Sequence, residues 1–428
     1  MIESTTVVHD PLSAAHELRE QLASQKRPLG FLLGAGTSMA VGLPGISQLT
    51  TIVADSLKNP QSAFYTQVSS ELPQGANVEQ VLDRVRAYRE LIGASEDRVY
   101  AGIKGRDAAK LLDVEICRSI SKAVQGEPPK GMAPHHQFAG WLRVLHAMRE
   151  TPVELFTTNY DLLLECAMER MRLPFFDGFV GSVRPYFMPE AVESETQAGE
   201  ATMCPPRSWT RLWKLHGSVN WIADSSLNVE DRQIVRGSAA KIEAGTEIAI
   251  FPSRDKYSES RKLPFMTYQD RLLRFVSRGE CHLVIVGYSF SDQHINYTIF
   301  RALRSNPRFS ATALMFGDKS VSGDDCRVVS EAHLGYGREY KNLSVLGPDR
   351  ASIGGVCGPW GNPRPHGDPG SSQVYWDGDE LQFKLGDFVC FSQYLEASYP
   401  LPQPPLMGLL PKSSGVQSQD AANTPEVA

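Results

Sequence analysis

Short apolar runs of strand length recur along this chain, and most of them end in small or polar residues. LGFLLGAG (29–36) runs into Gly34–Ser38, and VELFTTNYD (153–161) ends in Thr157–Asp161. RLWKLHGSVNW (211–221) carries His216–Gly217, HLVIVGYSFSD (282–292) passes through Gly287–Ser289, and ATALMFGD (311–318) closes on Gly317–Asp318. EIAIFPS (247–253) is a further run. Helical stretches follow several of them, at LLLECAMERM after residue 161, at 265–277 and at 294–305. Strands alternating with helices predict an α/β fold built on a parallel sheet with helices on both faces. Such sheets bind ligands at the C-terminal ends of their strands. The polar clusters fall repeatedly at those ends, so they are expected to converge on one composite site.

The intervening sequence sets the organisation. Leu12, Ala15, Leu18 and Leu22 form one helical stripe that Pro28 ends. Residues 50–150 are mainly helical in pattern, with Val78, Val81, Leu82, Val85 and Leu91–Ile92 on one face. That is too long for a single strand-to-helix connection and predicts a helical insertion. The texture changes near residue 320. The division expected is a main domain over 1–320, a small β-containing C-terminal region over 321–400, and a tail over 401–428. Within the second part, 374–391 reads as a hairpin or small sheet. The tail is rich in Pro, Ser and Gln and is expected to be disordered.

A net charge of −6 gives no global attraction for nucleic acid or an anionic membrane. The first residues lack a basic start and an apolar core, so no secretory signal is expected. No apolar run approaches the roughly 20 residues of a bilayer span. Seven cysteines without a CxxC pair argue against a disulfide framework and against a thiolate zinc site. Most are expected to be buried thiols in a reducing cytoplasm. His135 and His136 read as structural, and the arginines at 84–89 and 301–308 as solvated helix faces.

Four motifs carry chemistry. Gly34, Ala35, Gly36, Thr37 and Ser38 form a Gly-rich turn after a strand, which lets backbone approach a pyrophosphate. Met39 stands where a third glycine would complete GxGxxG, so the pattern also fits a plain tight turn. In TTNYD, the Asn159 amide can donate and accept without charge, while Asp161 also fits a helix cap. His216 has the side chain best suited to proton transfer near neutral pH, and Gly217 beside it leaves room for a substrate. Gly287 and Ser289 can approach a ribose or phosphate, and Asp292 fits a cap for the helix at 294–305.

In this order the motifs resemble the sirtuin family. GAGTS looks like its GAG-x-S loop and TTNYD like its TQN-x-D signature. LHGS is similar to the strand carrying its catalytic His-Gly, and GYSFSD to its GTS loop. ALMFGD falls where that family contacts adenosine. The resemblance covers about 29–318 and implies a Rossmann-like parallel sheet that binds NAD⁺. It is closest to bacterial sirtuin-like NAD⁺ hydrolases of anti-phage defence, several of them large assemblies and some paired with a HerA-family ATPase. Two departures count against a protein deacylase. Residues 217–280 contain no cysteine, where deacylases carry zinc ligands, and LPGISQL lacks the family's arginine.

The resemblance therefore implies an NAD⁺ glycohydrolase. Asn159, His216 and Asp161 would form its reaction centre. Gly34, Ala35, Gly36, Thr37, Ser38, Gly287, Ser289 and Asp318 would hold the dinucleotide, with no metal. A homo-oligomer and a HerA-family partner are the associations implied. A deacylase or ADP-ribosyltransferase, and a non-enzymatic module sensing NAD⁺ or ADP-ribose, are the alternatives.

Overall fold

In the computed structural model the segment Leu29–Leu33 is buried along its whole length, which only a strand covered on both faces can be. The structure describes residues 7–125, 134–193, 205–206, 208–223, 233–237, 248–250, 264–317, 327–362 and 374–398. Helix α1 (Pro11–Ala23) starts where the Asp10 side chain accepts from the Leu12 amide, and it leads to β1 (Leu29–Leu33) and the short α2 (Ala35–Met39). Next come α3 (Ile46–Ser56), α4 (Gln61–Ser70), α5 (Val78–Ile92), the hairpin of β2 (Val99–Tyr100) and β3 (Ile103–Lys104), and α6 (Gly105–Val124). α7 (Pro134–His146) precedes β4 (Glu154–Thr157), and α8 (Leu163–Arg170) precedes β5 (Phe175–Phe176). β6 (Phe179–Val180), β7 (Tyr186–Phe187), α9 (Pro189–Glu193), β8 (Thr210–Lys214), β9 (Gly217–Ala223), β10 (Ile234–Arg236) and β11 (Ile248–Ile250) follow. Strand and helix then alternate through α10 (Phe265–Ser277), β12 (Cys281–Val286), α11 (Gln293–Ser305), β13 (Phe309–Leu314), α12 (Glu331–Glu339) and β14 (Leu343–Leu346). β15 (Arg350–Ile353), β16 (Val356–Pro359), β17 (Trp376–Asp377), β18 (Gln382–Phe383) and α13 (Phe388–Ser398) complete the described chain.

The main sheet has nine strands in the order β16-β15-β14-β13-β12-β1-β4-β8-β5. All pairings from β14 to β5 are parallel, and only the β14–β15 and β15–β16 pairings are antiparallel. β1 is central. The chain first adds β4 and β8 on one side of it, then returns to add β12, β13 and β14 on the other. That reversal opens a crevice at the C-terminal ends of β1 and β12. Alternate residues of β1 feed different cores. Phe31 and Leu33 pack with α1, α7, α8 and α13, while Leu32 packs with α10 and α11 on the opposite face. The expected parallel α/β sheet with helices on both faces is what the chain forms.

Several expectations change in detail. RLWKLHGSVNW is not one strand. It divides at Leu215–His216 into β8 of the main sheet and β9 of a second, antiparallel sheet ordered β11-β9-β10-β7-β6. Gly217 has φ +92, a left-handed conformation that turns the chain between the two sheets. The run at 247–253 contributes β11 to that second sheet. The main sheet continues past residue 320, because β14 pairs in parallel with β13. The segment 374–391 forms only the short β17–β18 pair. Asp387 then accepts from the Val389 amide and starts α13, which packs on α7. The tail 401–428, expected to be disordered, lies outside the described residues.

Helices α3 to α6 enclose a core of their own, built on Val53, Val81, Leu82, Val85, Ile116 and Ile120. Leu91 is exposed while Ile92 is buried, as a helix rotation of about 100° between neighbours requires. The arginines at 84–89 are not all solvated. Arg86 is buried, and Arg86 and Arg89 both pair with buried Asp113, at 3.1 and 2.7 Å. Of the five described cysteines only Cys117 and Cys281 are buried, and none is in a disulfide. Among the described residues no helix is long and apolar enough to cross a membrane.

Candidate active site

A cavity of 370 Å³ opens at the crevice, a size suited to a small-molecule site. Its floor is the set of loops after β1, β4, β8 and β12. Its facing wall comes from α3 and from the start of α5. A capping box fixes that start: Asn77 Oδ1 accepts from the Gln80 amide, and Gln80 Oε1 accepts from the Asn77 amide.

The β1 and β12 loops touch backbone to backbone. A Cβ on Gly36 would lie 2.7 Å from Gly287 Cα, and one on Gly287 would lie 2.6 Å from the Thr37 nitrogen. Gly287 also holds φ +65. Only glycine satisfies both constraints at once. The loop amides are largely used internally: Gly34 donates to Val286 O, Gly36 to Gly287 O and Thr37 to Gly34 O.

Asn159 is 9% exposed and is bound to this loop. Its Nδ2 donates to Gly34 O at 3.0 Å, Thr37 Oγ1 at 3.0 Å and Ser38 Oγ at 2.7 Å. Gly34 O can only accept, which fixes which end of the amide is nitrogen. Oδ1 is therefore the end left for the cavity that Asn159 lines. Ser38 Oγ donates in turn to Asp161 Oδ2 at 2.5 Å, and Asp161 Oδ1 accepts from the Leu163 amide. Lys214 Nζ holds the same turn from below by donating to the Tyr160 and Asp161 carbonyls.

His216 stands at the junction of β8 and β9. Its Nε2 is 2.9 Å from Asp292 Oδ2. Asp292 is the N-cap of α11, where Oδ1 accepts from the His294 and Ile295 amides.

Residues 153–334 match the SIR2-like domain family. The matched span holds Asn159, Asp161, His216, Gly287, Ser289 and Asp292. No curated protein matches the chain in sequence. Solved structures similar to it include a Sir2 homologue in complex with NAD, at 15% identity over 70% of this chain and 81% of that one, TM-score 0.30. A point mutant of a Sir2 homologue with ADP-ribose matches at 15% identity over 75% and 92%, TM-score 0.30. A structure described as the basis for the mechanism and regulation of Sir2 enzymes matches at 13% over 76% and 93%, TM-score 0.32.

The cavity is acidic, with Glu79, Asp83, Asp161 and Asp292 in its lining. Burial works to lower the His216 pKa. The Asp292 hydrogen bond and the charges of Glu79, Asp292 and Asp83 overcome it and leave the pKa raised. Burial likewise pushes Asp292 up, yet His216 and the two α11 amides bring it down to about 2. Tyr160 hydrogen-bonds Glu79 through its hydroxyl, and its ring centroid lies 6.5 Å from that of His216.

The cavity gathers most of the residues singled out from sequence. Ala35, Ser38, Asn159, Asp161, His216, Gly287 and Ser289 all line the cavity. Gly34, Gly36 and Thr37 lie behind the lining and shape the loop. Asp318 lies outside the described residues. Glu79 and Asp83 escaped the sequence reading because they belong to the insertion, far from every motif. Asp292 was visible only as a helix cap. It caps the helix and also pairs with the imidazole.

Proposed function

We propose that this cavity binds NAD⁺ and that the protein hydrolyses its nicotinamide–ribose bond. The observation that carries the reading is the meeting of two anchored groups at one cavity. Asn159 has its amide nitrogen tied to the β1 loop, and His216 is tied to Asp292. The SIR2-like match over 153–334 supports an NAD-using chemistry.

Ala35 and Ser38 would face the pyrophosphate, and Gly287 and Ser289 the adenosine side. Asp318 would join them, as the motif resemblance implies. Asn159 Oδ1 would accept from a ribose hydroxyl or from the attacking water. The acidic wall favours the positive charge that grows at C1′. As the C1′–N bond breaks, nicotinamide leaves neutral with the bonding electron pair. Water adds to C1′ and gives one proton to His216, which later releases it to solvent. NAD⁺ and water thus yield ADP-ribose, nicotinamide and one proton. General-base assistance of this kind is worth roughly 10²–10⁴-fold. Asp161 would act mainly by holding Ser38 and the 159–161 turn in place.

In the cell such an activity would deplete NAD⁺ under the control of a trigger. The motif resemblance supports an anti-phage role, a homo-oligomer and a HerA-family ATPase partner. The test is product analysis by mass spectrometry after incubation with NAD⁺, with and without acylated peptide and a HerA-family ATPase. Nicotinamide release without peptide is expected. Release only with peptide would make the protein a deacylase or transferase. Tight NAD⁺ binding with no release under any condition would make it a sensor.

A further inference from the structure

We infer that Asp292 is the positioning residue that holds His216 with its proton on Nε2, so that Nδ1 is the ring nitrogen that acts in the cavity. The inference rests on the NAD⁺-cleaving reading for its catalytic meaning, but not for its geometry.

Asp292 is fixed by two independent sets of bonds. Its Oδ1 accepts from the His294 amide at 2.7 Å and the Ile295 amide at 3.1 Å. Its Oδ2 meets His216 Nε2 at 2.9 Å. A carboxylate at a helix N-terminus is held ionised by those amides and by the helix dipole. An ionised carboxylate can only accept a hydrogen bond, so the proton between Oδ2 and Nε2 belongs to the ring. A neutral His216 then carries its lone pair on Nδ1. Among the described residues Nδ1 has no hydrogen-bond partner, and His216 lines the cavity. Nδ1 is therefore the nitrogen able to take the proton from water. The other charged or titratable groups bearing on the ring are Glu79 and Asp83 from α5 and Tyr160 from the loop after β4. None of these is hydrogen-bonded to the ring among the described residues, so tautomer control falls to Asp292.

The decisive variant is Asp292→Asn. Asparagine is as good a helix cap as aspartate, so α11 keeps its start. The two α11 amides require an oxygen at the capping position. The asparagine must therefore present its NH₂ to the imidazole. Nε2 is then forced to accept, and the proton moves to Nδ1. In the protein without NAD⁺, ¹⁵N imidazole shifts of His216 should show the Nε2–H form in wild type and the Nδ1–H form in Asp292→Asn. The kcat for nicotinamide release should fall by roughly 10²–10⁴-fold, with KM changed by less than about threefold. Thermal melting of both proteins checks that the fold survives. An Nδ1–H ring in wild type overturns the inference, as does an unchanged tautomer in the variant. If wild type releases no nicotinamide under any condition, the NAD⁺-cleaving reading fails, and the nitrogen shifts still decide the assignment of Asp292.

Discussion

Gly34 and Gly287 face each other backbone to backbone: a Cβ built on Gly34 would sit 2.4 Å from the Gly287 carbonyl oxygen. This contact joins the loop after β1 to the loop after β12, where the strand order reverses. Gly287→Ala meets two obstacles, the left-handed φ of +65 and the Thr37 nitrogen at 2.6 Å. The expected loss is about 1–3 kcal/mol in urea unfolding. Gly279→Ala has nothing within 4 Å and should cost no more than about 0.5 kcal/mol. Equal midpoints for the two variants would contradict the close approach.

Asn159→Ala and Asn159→Asp should separate the two ends of the amide. Both lose the donor to Gly34 O, and each should lower nicotinamide release by roughly 10²–10³-fold. The aspartate variant also sets a carboxylate against a carbonyl oxygen that can only accept. It should therefore be the less stable of the two, by about 1–3 kcal/mol. The checks are product release by chromatography and the denaturation midpoint. A more stable aspartate variant would mean that the amide is oriented the other way.

If His216 is the base proposed above, it should set the pH dependence of turnover. Its pKa lies above the ordinary value of 6.5, and the base must be neutral to act. The acid limb of kcat/KM, which reports the free protein, should thus rise with pH and have its midpoint above 6.5. The linked stability has the opposite sense. It is fully present below the unfolded histidine pKa and is lost as pH rises through the higher folded value. A kcat/KM profile between about pH 5 and pH 9 tests this, and a limb centred below the ordinary histidine value would count against His216 as the base.

The parallel sheet was legible in the alternation of apolar runs, and the site in the residues closing them. β1 shows why. Five buried residues followed by Gly34 and Gly36 are visible in any window of the sequence. The division of RLWKLHGSVNW was not visible, because both halves are apolar and only the φ of Gly217 parts them. Arg86 gave no sign of burial either, since its partner Asp113 lies a helix away. Asp292 displays its capping role locally, whereas its contact with His216 is purely tertiary.

Asp113 tests the integrity of the insertion. It is buried between Arg86 and Arg89. Burial raises its pKa, but the two guanidinium groups outweigh that and leave it lowered. Its contribution is therefore present above the unfolded carboxylate pKa and lost as pH falls through the folded value. Asp113→Ala removes the buried carboxylate that Arg86 and Arg89 share and should cost about 3–5 kcal/mol in chemical denaturation. A loss below about 1 kcal/mol would show that water already reaches the pair.

Tyr160 and Val219 follow strands of the main sheet, yet their side chains are packed in the core of helices α3 to α6. The chamber is thus closed along a seam between two hydrophobic interiors. Substitutions deep in those helices, remote from the cavity, would reach its lining through that seam. Gentle heating that loosens the helices first would abolish catalysis while the β-structure still gave its full spectroscopic signal.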